Sequence, residues 1–304
     1  MLPLKVPSRS QRALAISPFI PKRPSSSKRW QARQLKDHFT REATVQGLKS
    51  RAAFKLMQID AKYRIFCDGQ TVVDLGYAPG SWSQVAVSRT GPNGRVLGVD
   101  IIPAQPPKGV STIQGNFLDP SIQAYVQDLL HDPTRDQRHR PGINPHIGLS
   151  HEASELHGDR KNPAHNNEEM EDHCLTGKRT VDVVLSDMSV PWYQTSGFWK
   201  RSLSDSYNRM MNTSGMSFRD HAGSMDLCRA ALQFSFEVLK AGGHFVCKFY
   251  QGAEDKDLEK QLKRLFQKVH RLKPESSRNE SKEAYFIGLA RKQHAMRHEV
   301  LASP

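Results

Sequence analysis

The chain has 304 residues, a formal net charge of +13 and a hydrophobic fraction of 37%. This length provides room for one large α/β domain or two small ones. The four cysteines form no CxxC pair, which argues against a disulfide scaffold or a zinc ribbon, and we expect no bound metal. No apolar run approaches the roughly 18 residues of a membrane-spanning helix, so we also expect no membrane span.

The positive charge is concentrated at the N-terminus. Residues 1–36 contain nine Lys or Arg residues and no Asp or Glu. Leaders that are rich in Arg and Ser and free of acids are typical of mitochondrial transit peptides. We therefore predict an import sequence over residues 1–30 and a location in the mitochondrial matrix. A disordered basic leader that contacts nucleic acid is the alternative.

Helix and strand patterns alternate from Asp37 onward. Helical periodicity covers 37–63, and a later helix is predicted to end at a glycine C-cap formed by Gly242 and Gly243. The alternation predicts an α/β fold with a doubly wound, mostly parallel sheet and an antiparallel terminal strand. The predicted strands cover 71–75, 94–101, 110–117, 181–188, 244–250, 268–274 and 284–291, and the further helices cover 81–88, 120–130, 224–241 and 255–266.

Acidic residues follow or end three of the predicted strands, at Asp74, Asp100 and Asp187. In such a sheet, ligands bind beyond the carboxyl ends of the strands. The turn after the first strand has the spacing G-x-x-x-G from Gly76 to Gly80, which lacks the G-x-G-x-x-G pattern of a pyrophosphate cradle. A nucleoside ligand without phosphate fits this turn better than NAD, and S-adenosylmethionine is the common one. A tight turn with a purely structural role is the alternative.

Six separated motifs occur in the order and spacing of a known family. They are DLGYAPGSWSQVA, VLGVDIIP, IQGNF, VLSDMS, GGHFVCKFYQG and SSRNESKEAYFIGL. The chain resembles the FtsJ-like ribosomal RNA 2′-O-ribose methyltransferases over about residues 28–130 and 181–292. The resemblance implies a Rossmann-like methyltransferase domain over 31–292, followed by a tail over 293–304.

The catalytic tetrad of that family, Lys-Asp-Lys-Glu, falls by motif on Lys55, Asp187, Lys248 and Glu283. A ribose 2′-hydroxyl is a poor nucleophile until it loses its proton, and a lysine becomes a useful base when burial or a neighbouring cation lowers its pKa. The resemblance therefore implies that Lys248 is a general base with a lowered pKa. Lys55 is expected to supply the neighbouring cation, and the two acids are expected to orient Lys248.

The resemblance also implies which residues bind S-adenosylmethionine. Asp100 is expected to bond the ribose hydroxyls of the adenosine. Asn116 stands where relatives often carry Asp, and its side-chain carbonyl can accept a hydrogen bond from the adenine amino group. The full implied set is Gly76, Pro79, Gly80, Ser81, Trp82, Asp100, Asn116 and Asp187.

Two irregular segments interrupt the predicted domain. The polar insertion over 131–180 contains seven His at irregular spacings, which predicts a solvated loop rather than a zinc site. The segment over 191–222 combines aromatic and basic side chains, which predicts an RNA-binding flap. A hydrophobic flap that packs on the sheet is an equal alternative. The side chains concerned are Trp192, Tyr193, Phe198, Trp199, Lys200, Arg201 and Arg219.

These features together predict a methyltransferase that uses S-adenosylmethionine to methylate a ribose 2′-hydroxyl. The expected substrate is a uridine of mitochondrial large-subunit rRNA, either naked or in a pre-ribosomal particle, and the expected oligomeric state is a monomer. The alternatives are a 2′-O-methyltransferase that acts on tRNA and an RNA-binding ribosome-assembly factor with dispensable catalysis. The intact tetrad argues against the second alternative.

Overall fold

The computed structural model describes residues 37–131, 179–193, 210–211 and 213–302. The predicted leader over 1–30, nearly all of the insertion and the middle of the predicted flap lie outside the described residues. The described strands are β1 (Thr71–Leu75), β2 (Arg95–Asp100), β3 (Val110–Gln114), β4 (Val181–Ser186), β5 (Trp192–Tyr193), β6 (Met210–Met211), β7 (Leu239–Tyr250), β8 (Phe266–Leu272) and β9 (Glu283–Arg291). The described helices are α1 (His38–Val45), α2 (Ala52–Tyr63), α3 (Ser81–Thr90), α4 (Pro120–His131), α5 (Ser217–Val238), α6 (Asp255–Leu265) and α7 (Arg297–Leu301).

Seven strands form one sheet in the order β3-β2-β1-β4-β7-β9-β8. The pairs from β3 to β7 are parallel, whereas β9 runs antiparallel to both of its neighbours, β7 and β8. The predicted α/β fold with a mostly parallel sheet and an antiparallel terminal strand is confirmed. Strands β5 and β6 form a separate antiparallel pair.

Successive residues of a strand point to opposite faces of the sheet. In β1, neighbouring residues therefore contribute to two different hydrophobic cores, one on each face. Val73 belongs to a core built with α4, α5 and α6, while Val72 belongs to a core built with α2 and α3. Both side chains are completely buried, as expected for a parallel sheet covered on both faces. Helix α7 adds the buried Val300 to the first layer.

The predicted glycine C-cap is wrong. Helix α5 ends at Val238, and Leu239 adopts an extended conformation that begins β7 opposite Val181. A Cβ atom at Gly243 would lie 2.9 Å from the carbonyl oxygen of Asp182. Gly243 is therefore needed for close approach between β7 and β4 rather than for capping a helix.

The predicted helix over 37–63 is divided into α1 and α2. Helix α1 ends before Gly47, which takes the left-handed conformation with φ +66° and lets the chain turn. No helix in the described parts of the chain is both long enough and apolar enough to cross a membrane.

Candidate active site

The predicted site residues gather at one edge of the sheet. The carboxyl ends of β1, β2, β4 and β7 lie at this edge because these strands are parallel. Strand β9 runs the other way and therefore begins there, with Glu283 opposite Tyr250 of β7. The edge has a glycine turn at β1 and β2 and a cluster of lysines and acids at β4, β7 and β9.

Lys248 is held by three oxygen atoms. Its Nζ atom lies 2.7 Å from the backbone carbonyl of Asp187, 3.0 Å from Oδ1 of Asp187 and 2.7 Å from Oγ of Ser189. An ammonium group has three N–H donors, so these acceptors match its donors one for one. The side chain of Lys248 is only 7% exposed, and water does not compete strongly for these donors.

The pKa of Lys248 is raised, not lowered. Burial alone lowers this pKa, but the charge of Asp187, its hydrogen bond to Lys248 and the charge of Glu283 outweigh burial. The expectation of a lowered pKa for Lys248 is therefore wrong. The lysine is an ammonium at neutral pH and donates hydrogen bonds.

Lys55 and Glu283 form a second ion pair. Lys55 Nζ, on α2, lies 2.6 Å from Oε1 of Glu283, and each side chain is less than 13% exposed. Burial raises the pKa of Glu283, but the charge of Lys55 and its hydrogen bond overcome that effect, and the net pKa is lowered. Lys55 is thus neutralised by Glu283, which explains why it does not act as the uncompensated cation that would lower the pKa of Lys248.

The turn after β1 is packed closely against the segment that carries Asp187. Gly76 has φ +78°, and a Cβ atom there would lie 2.8 Å from Cα of Met188. The backbone N–H of Asp187 donates to the carbonyl of Leu75 at 3.1 Å. Gly80, with φ +104°, allows close contact with Pro107 instead.

The predicted cofactor residues at the start of α3 face the N-terminal helices. The indole N–H of Trp82 donates to the carbonyl of Ala52 at 2.9 Å, and the hydroxyl groups of Ser81 and Ser50 are 2.7 Å apart. Both Trp82 and Ser81 are buried. These two side chains join the start of α3 to the start of α2. Pro79 lies within the turn and is half-buried.

Asp100 joins the end of β2 to the same turn. Its Oδ2 atom accepts from the N–H of Ala78 and its Oδ1 atom from the N–H of Ile102, both at 2.9 Å. Burial raises the pKa of Asp100 against the effect of these hydrogen bonds. The backbone of Ile101 contributes a further hydrogen bond. Two carboxylate oxygens have about four acceptor sites, so the carboxylate keeps acceptor capacity for a ligand hydroxyl.

Asn116 is exposed beyond the end of β3, and its Oδ1 atom accepts from the N–H of Leu118 at 3.1 Å. One acceptor site of this oxygen is therefore already used. The exposed apolar side chains of Ile101 and Leu118 lie next to Asp100 and Asn116 along the chain. This corner of the edge offers apolar surface beside polar groups, as a purine ring requires.

Comparison with known sequences agrees with this geometry. The family model described as FtsJ-like methyltransferase matches residues 48–291. This chain belongs to the FtsJ-like methyltransferase family. It is 43% identical to "rRNA methyltransferase 2, mitochondrial" of Saccharomyces cerevisiae, over 92% of each chain. It is 32% identical to "Ribosomal RNA large subunit methyltransferase E" of Gluconobacter oxydans, over 87% of this chain and 73% of that protein.

A solved structure agrees at the level of the fold. It is described as a ribosomal RNA methyltransferase from Plasmodium falciparum and aligns with a TM-score of 0.51 at 23% identity, over 82% of this chain and all of that one. The likeness supports the Rossmann-like architecture of this FtsJ-like methyltransferase.

Asp74 gives this family member a buried acid beneath the turn. The side chain is completely buried, and Oδ2 accepts from the hydroxyl of Ser83 at 2.6 Å. Oδ1 has no hydrogen-bond partner among the described residues. Burial, with a smaller contribution from the charges of Asp187 and Asp100, raises the pKa of Asp74 to about 7 despite the hydrogen bond from Ser83. The turn is thus surrounded by three carboxyl groups that favour a positively charged ligand.

The turn fits S-adenosylmethionine, which carries a sulfonium and an ammonium group. Oδ1 of Asp74 is an orphaned buried oxygen two residues before Gly76, and the carboxylate of Asp100 is suited to accept from a ribose hydroxyl. The glycine turn brings backbone close without a phosphate cradle. The residues present at this end of the FtsJ-like methyltransferase site therefore match the chemistry of the donor that the family implies.

Two further residues belong to the site and were missed by the sequence reasoning. The hydroxyl of Tyr285 donates to Oδ1 of Asp187 at 3.5 Å, and Ser189 accepts from Lys248. Tyr285 follows Glu283 by two residues on β9 and so shares its face, which is a pattern the sequence does contain. Ser189 carries no comparable pattern, because its contact depends on how the chain turns after β4.

Proposed function

We propose that this chain transfers a methyl group from S-adenosylmethionine to the 2′-hydroxyl of a uridine in mitochondrial large-subunit rRNA. The observation that carries the proposal is the side-by-side placement of two unlike groups at one sheet edge. An acid-lined glycine turn suited to a cationic nucleoside lies at β1 and β2, and the Lys248–Asp187 pair lies at the adjacent strands. One end suits the donor and the other suits a hydroxyl acceptor.

The cofactor, when bound, supplies an electrophilic methyl group on a sulfonium centre. The residues proposed to hold it are those around the turn, with Asp100 bonding the adenosine ribose and Asn116 near the adenine. The carboxyl groups of Asp74 and Asp187 complement its positive charge. No residue of this set needs to form a covalent bond with the donor, and the turn works by orientation.

The 2′-hydroxyl is proposed to bind at the Lys248–Asp187 pair. Lys248 is an ammonium in the free protein, so it is suited to donate a hydrogen bond to the 2′-oxygen and to make that hydroxyl more acidic. Asp187 then accepts the hydroxyl proton while the 2′-oxygen forms its bond to the methyl carbon. The bound donor would supply the methyl group and would leave as a neutral thioether, so the protein would need no further group to stabilise the leaving sulfur.

Lys55, Glu283 and Tyr285 are proposed to position this pair. Glu283 contributes negative charge to Lys248 and is itself fixed by Lys55, and Tyr285 holds the carboxylate of Asp187. Holding the nucleophile and its base in fixed relative positions lowers the entropic part of the activation barrier of a two-substrate reaction. The tetrad implied by the sequence thus divides into one reacting pair and one supporting pair.

The names of the relatives support ribosomal RNA of the mitochondrion as the substrate. The acid-free leader supports import into the mitochondrial matrix, where large-subunit rRNA or a pre-ribosomal particle is the partner. A monomer is sufficient for the reaction, since all of the proposed catalytic residues lie on one chain.

The test is to map ribose methylation on mitochondrial rRNA. Purified protein is incubated with large-subunit rRNA and methyl-labelled S-adenosylmethionine, and the modified site is located by its resistance to alkaline cleavage. We expect one 2′-O-methyluridine, absent with the Lys248→Ala variant. Label on a base, or label on tRNA but not on rRNA, would contradict the proposal.

A further inference from the structure

A polar groove lies at the same edge of the sheet, beyond the tetrad. Its volume is about 590 Å³, within the range of small-ligand sites. It is formed where β7 ends, α6 begins, β8 ends and the loop before β9 returns. The lining residues are Gln251, Gly252, Asp255, Lys256, Arg271, Lys273, Asn279, Glu280, Ser281 and Lys282.

Two strands connect the groove to the proposed acceptor site. Gln251 directly follows β7, and its N–H donates to the carbonyl of Lys282 at 3.0 Å. Lys282 is the residue before Glu283, and Gln251 is three residues after Lys248. Along the sheet edge, the order is therefore glycine turn, tetrad and groove.

The exposed charge of the groove is positive. Asp255 is buried and already bound, since its Oδ2 atom lies 3.0 Å from Arg271 and accepts from the N–H of Gly252. Lys256 and Lys282 are exposed, and neither forms an ion pair with any residue that the structure describes. The remaining carboxylate that lines the groove is Glu280.

The wall of the groove is preformed. Lys273 donates from Nζ to the carbonyls of Asn279 and Ser281, at 3.1 and 2.7 Å, and so closes the loop that precedes β9. The N–H of Ser276 donates to Oε1 of Gln58 at 3.1 Å, which ties this loop to α2. The backbone that carries Lys282 is thus fixed before a ligand binds, which reduces the loss of conformational entropy on binding.

We propose that this groove binds the nucleotide adjacent to the methylated one in the substrate RNA strand, with Lys256 and Lys282 contacting its phosphodiester. The inference rests on the proposed function, because it takes the reacting ribose to lie at Lys248. A strand whose ribose lies at the tetrad has the glycine turn on one side, and the groove is the open polar space on the other. Its positive charge complements the phosphate that links the two nucleotides.

The test compares groove lysines with a lysine on the same helix outside the groove. Lys256→Ala and Lys282→Ala are measured beside Lys260→Ala, whose exposed side chain pairs with Asp257 instead. Steady-state methylation of rRNA is followed at several salt concentrations, and cofactor affinity and thermal stability are checked for each variant. For the two groove variants we expect a rise of roughly threefold in KM for RNA, with kcat and cofactor affinity unchanged.

The salt dependence gives a second, sharper readout. Each lost phosphate contact is expected to reduce the slope of log affinity against log salt by about 0.7 for single-stranded RNA. Lys260→Ala should leave both KM and this slope at the wild-type value. Unchanged KM and slope in the groove variants, with wild-type methylation intact, would overturn the groove proposal and leave the proposed function standing.

A direct binding measurement tests the groove proposal independently of the proposed methyltransferase function. Fluorescence anisotropy with a short single-stranded oligoribonucleotide measures the groove without turnover. Lysine-dependent binding by a wild-type chain that transfers no methyl group to rRNA would contradict the proposed function but support the groove. Binding that stays unchanged when Lys256 or Lys282 is replaced would contradict the groove proposal, whether or not the wild-type chain transfers a methyl group.

Discussion

The two halves of the catalytic edge are built in opposite ways. The half at β1 and β2 is acidic, is made from a nearly continuous stretch of sequence and holds its shape through backbone hydrogen bonds to Asp100. The half at β4, β7 and β9 contains two lysines and holds its shape through ion pairs between side chains that are far apart in the sequence. Lys55 and Glu283, for example, are joined at 2.6 Å.

The contrast follows from what each half is proposed to bind. A donor that carries positive charge is favoured by carboxyl groups that lack a paired cation. Burial disfavours the charged forms of Asp74 and Asp100 and raises the pKa of each. An acceptor hydroxyl that must lose a proton is favoured by a cation beside a carboxylate. The proton stays on Lys248 because the surrounding negative charge raises its pKa.

The largest expected effect is in the lysine half. Lys248→Ala should reduce turnover by roughly 10²- to 10⁴-fold while cofactor affinity, measured by calorimetry, stays unchanged. Lys240→Ala is the matched control, because Lys240 lies on the same strand and pairs with Asp182 at the opposite end of β4. A loss of cofactor affinity as large as the loss of turnover would show that the two halves are not separate.

The pH profile of the wild-type enzyme decides which member of the pair accepts the proton. With the pKa of Lys248 raised, a lysine base would make the rate climb about tenfold per pH unit through the neutral range. A flat rate between pH 7 and pH 9 would exclude Lys248 as the proton acceptor and leave Asp187 in that role. A steep climb would return the base role to Lys248, as the sequence alone suggested.

The next effect is in the acidic half. Asp100→Ala removes the proposed ribose acceptor and the hydrogen bond from Ala78 that holds the turn, so affinity for S-adenosylmethionine should fall about ten- to a hundredfold. Asp128→Ala is a suitable control because Asp128 is exposed on α4. Unchanged affinity in the Asp100 variant would place the donor elsewhere on the chain.

Asp74 should make stability depend on pH in a direction opposite to that of most acids. Its pKa is about 7 in the folded protein against an ordinary value of 3.8, so the folded state keeps a proton that the unfolded state has lost. This contribution to the free energy of unfolding is complete below pH 4 and is lost as the pH rises towards 7.

Asp74→Asn removes that titration. Between pH 5 and pH 7, the free energy of unfolding of the variant should decline by about 2 kcal/mol less than that of the wild type. Urea unfolding at several pH values measures the difference. Parallel pH dependences for the two proteins would mean that Asp74 is ionised in the fold.

The smallest expected effect lies within the lysine half. Ser189→Ala removes one of the three acceptors of Lys248, and the other two remain. Turnover should fall by at most about tenfold, since water can replace a hydroxyl at a partly buried site. A loss as large as that of Lys248→Ala would mean that Ser189 itself takes part in the reaction.

The sequence predicted the acidic half better than the lysine half, for a physical reason. Strand β1, the turn, α3 and β2 follow one another, so their local pattern shows where Gly76 and Asp100 lie. The direction of the Lys248 pKa shift depends instead on how many oxygens surround it, and those come from a turn after β4. The groove depends on a loop before β9 that folds against the start of α6, which no local pattern reports.

The boundary errors have similar causes. Gly242 and Gly243 resemble a helix cap by composition, but Leu239 already pairs with β4, and burial of that leucine decides where the helix ends. Local propensity is overruled wherever a neighbouring strand offers pairing and burial together.

The place of β9 in the sheet has a consequence for the order in which the molecule is made. This strand comes last in the chain among the described strands, yet it lies between β7 and β8 and contributes Glu283 and Tyr285. A ribosome that has synthesised everything up to residue 282 has produced the glycine turn and Lys248, but β7 and β8 still have a gap between them. A chain truncated before Glu283 would lack two side chains of the proposed site and the strand that joins β7 to β8.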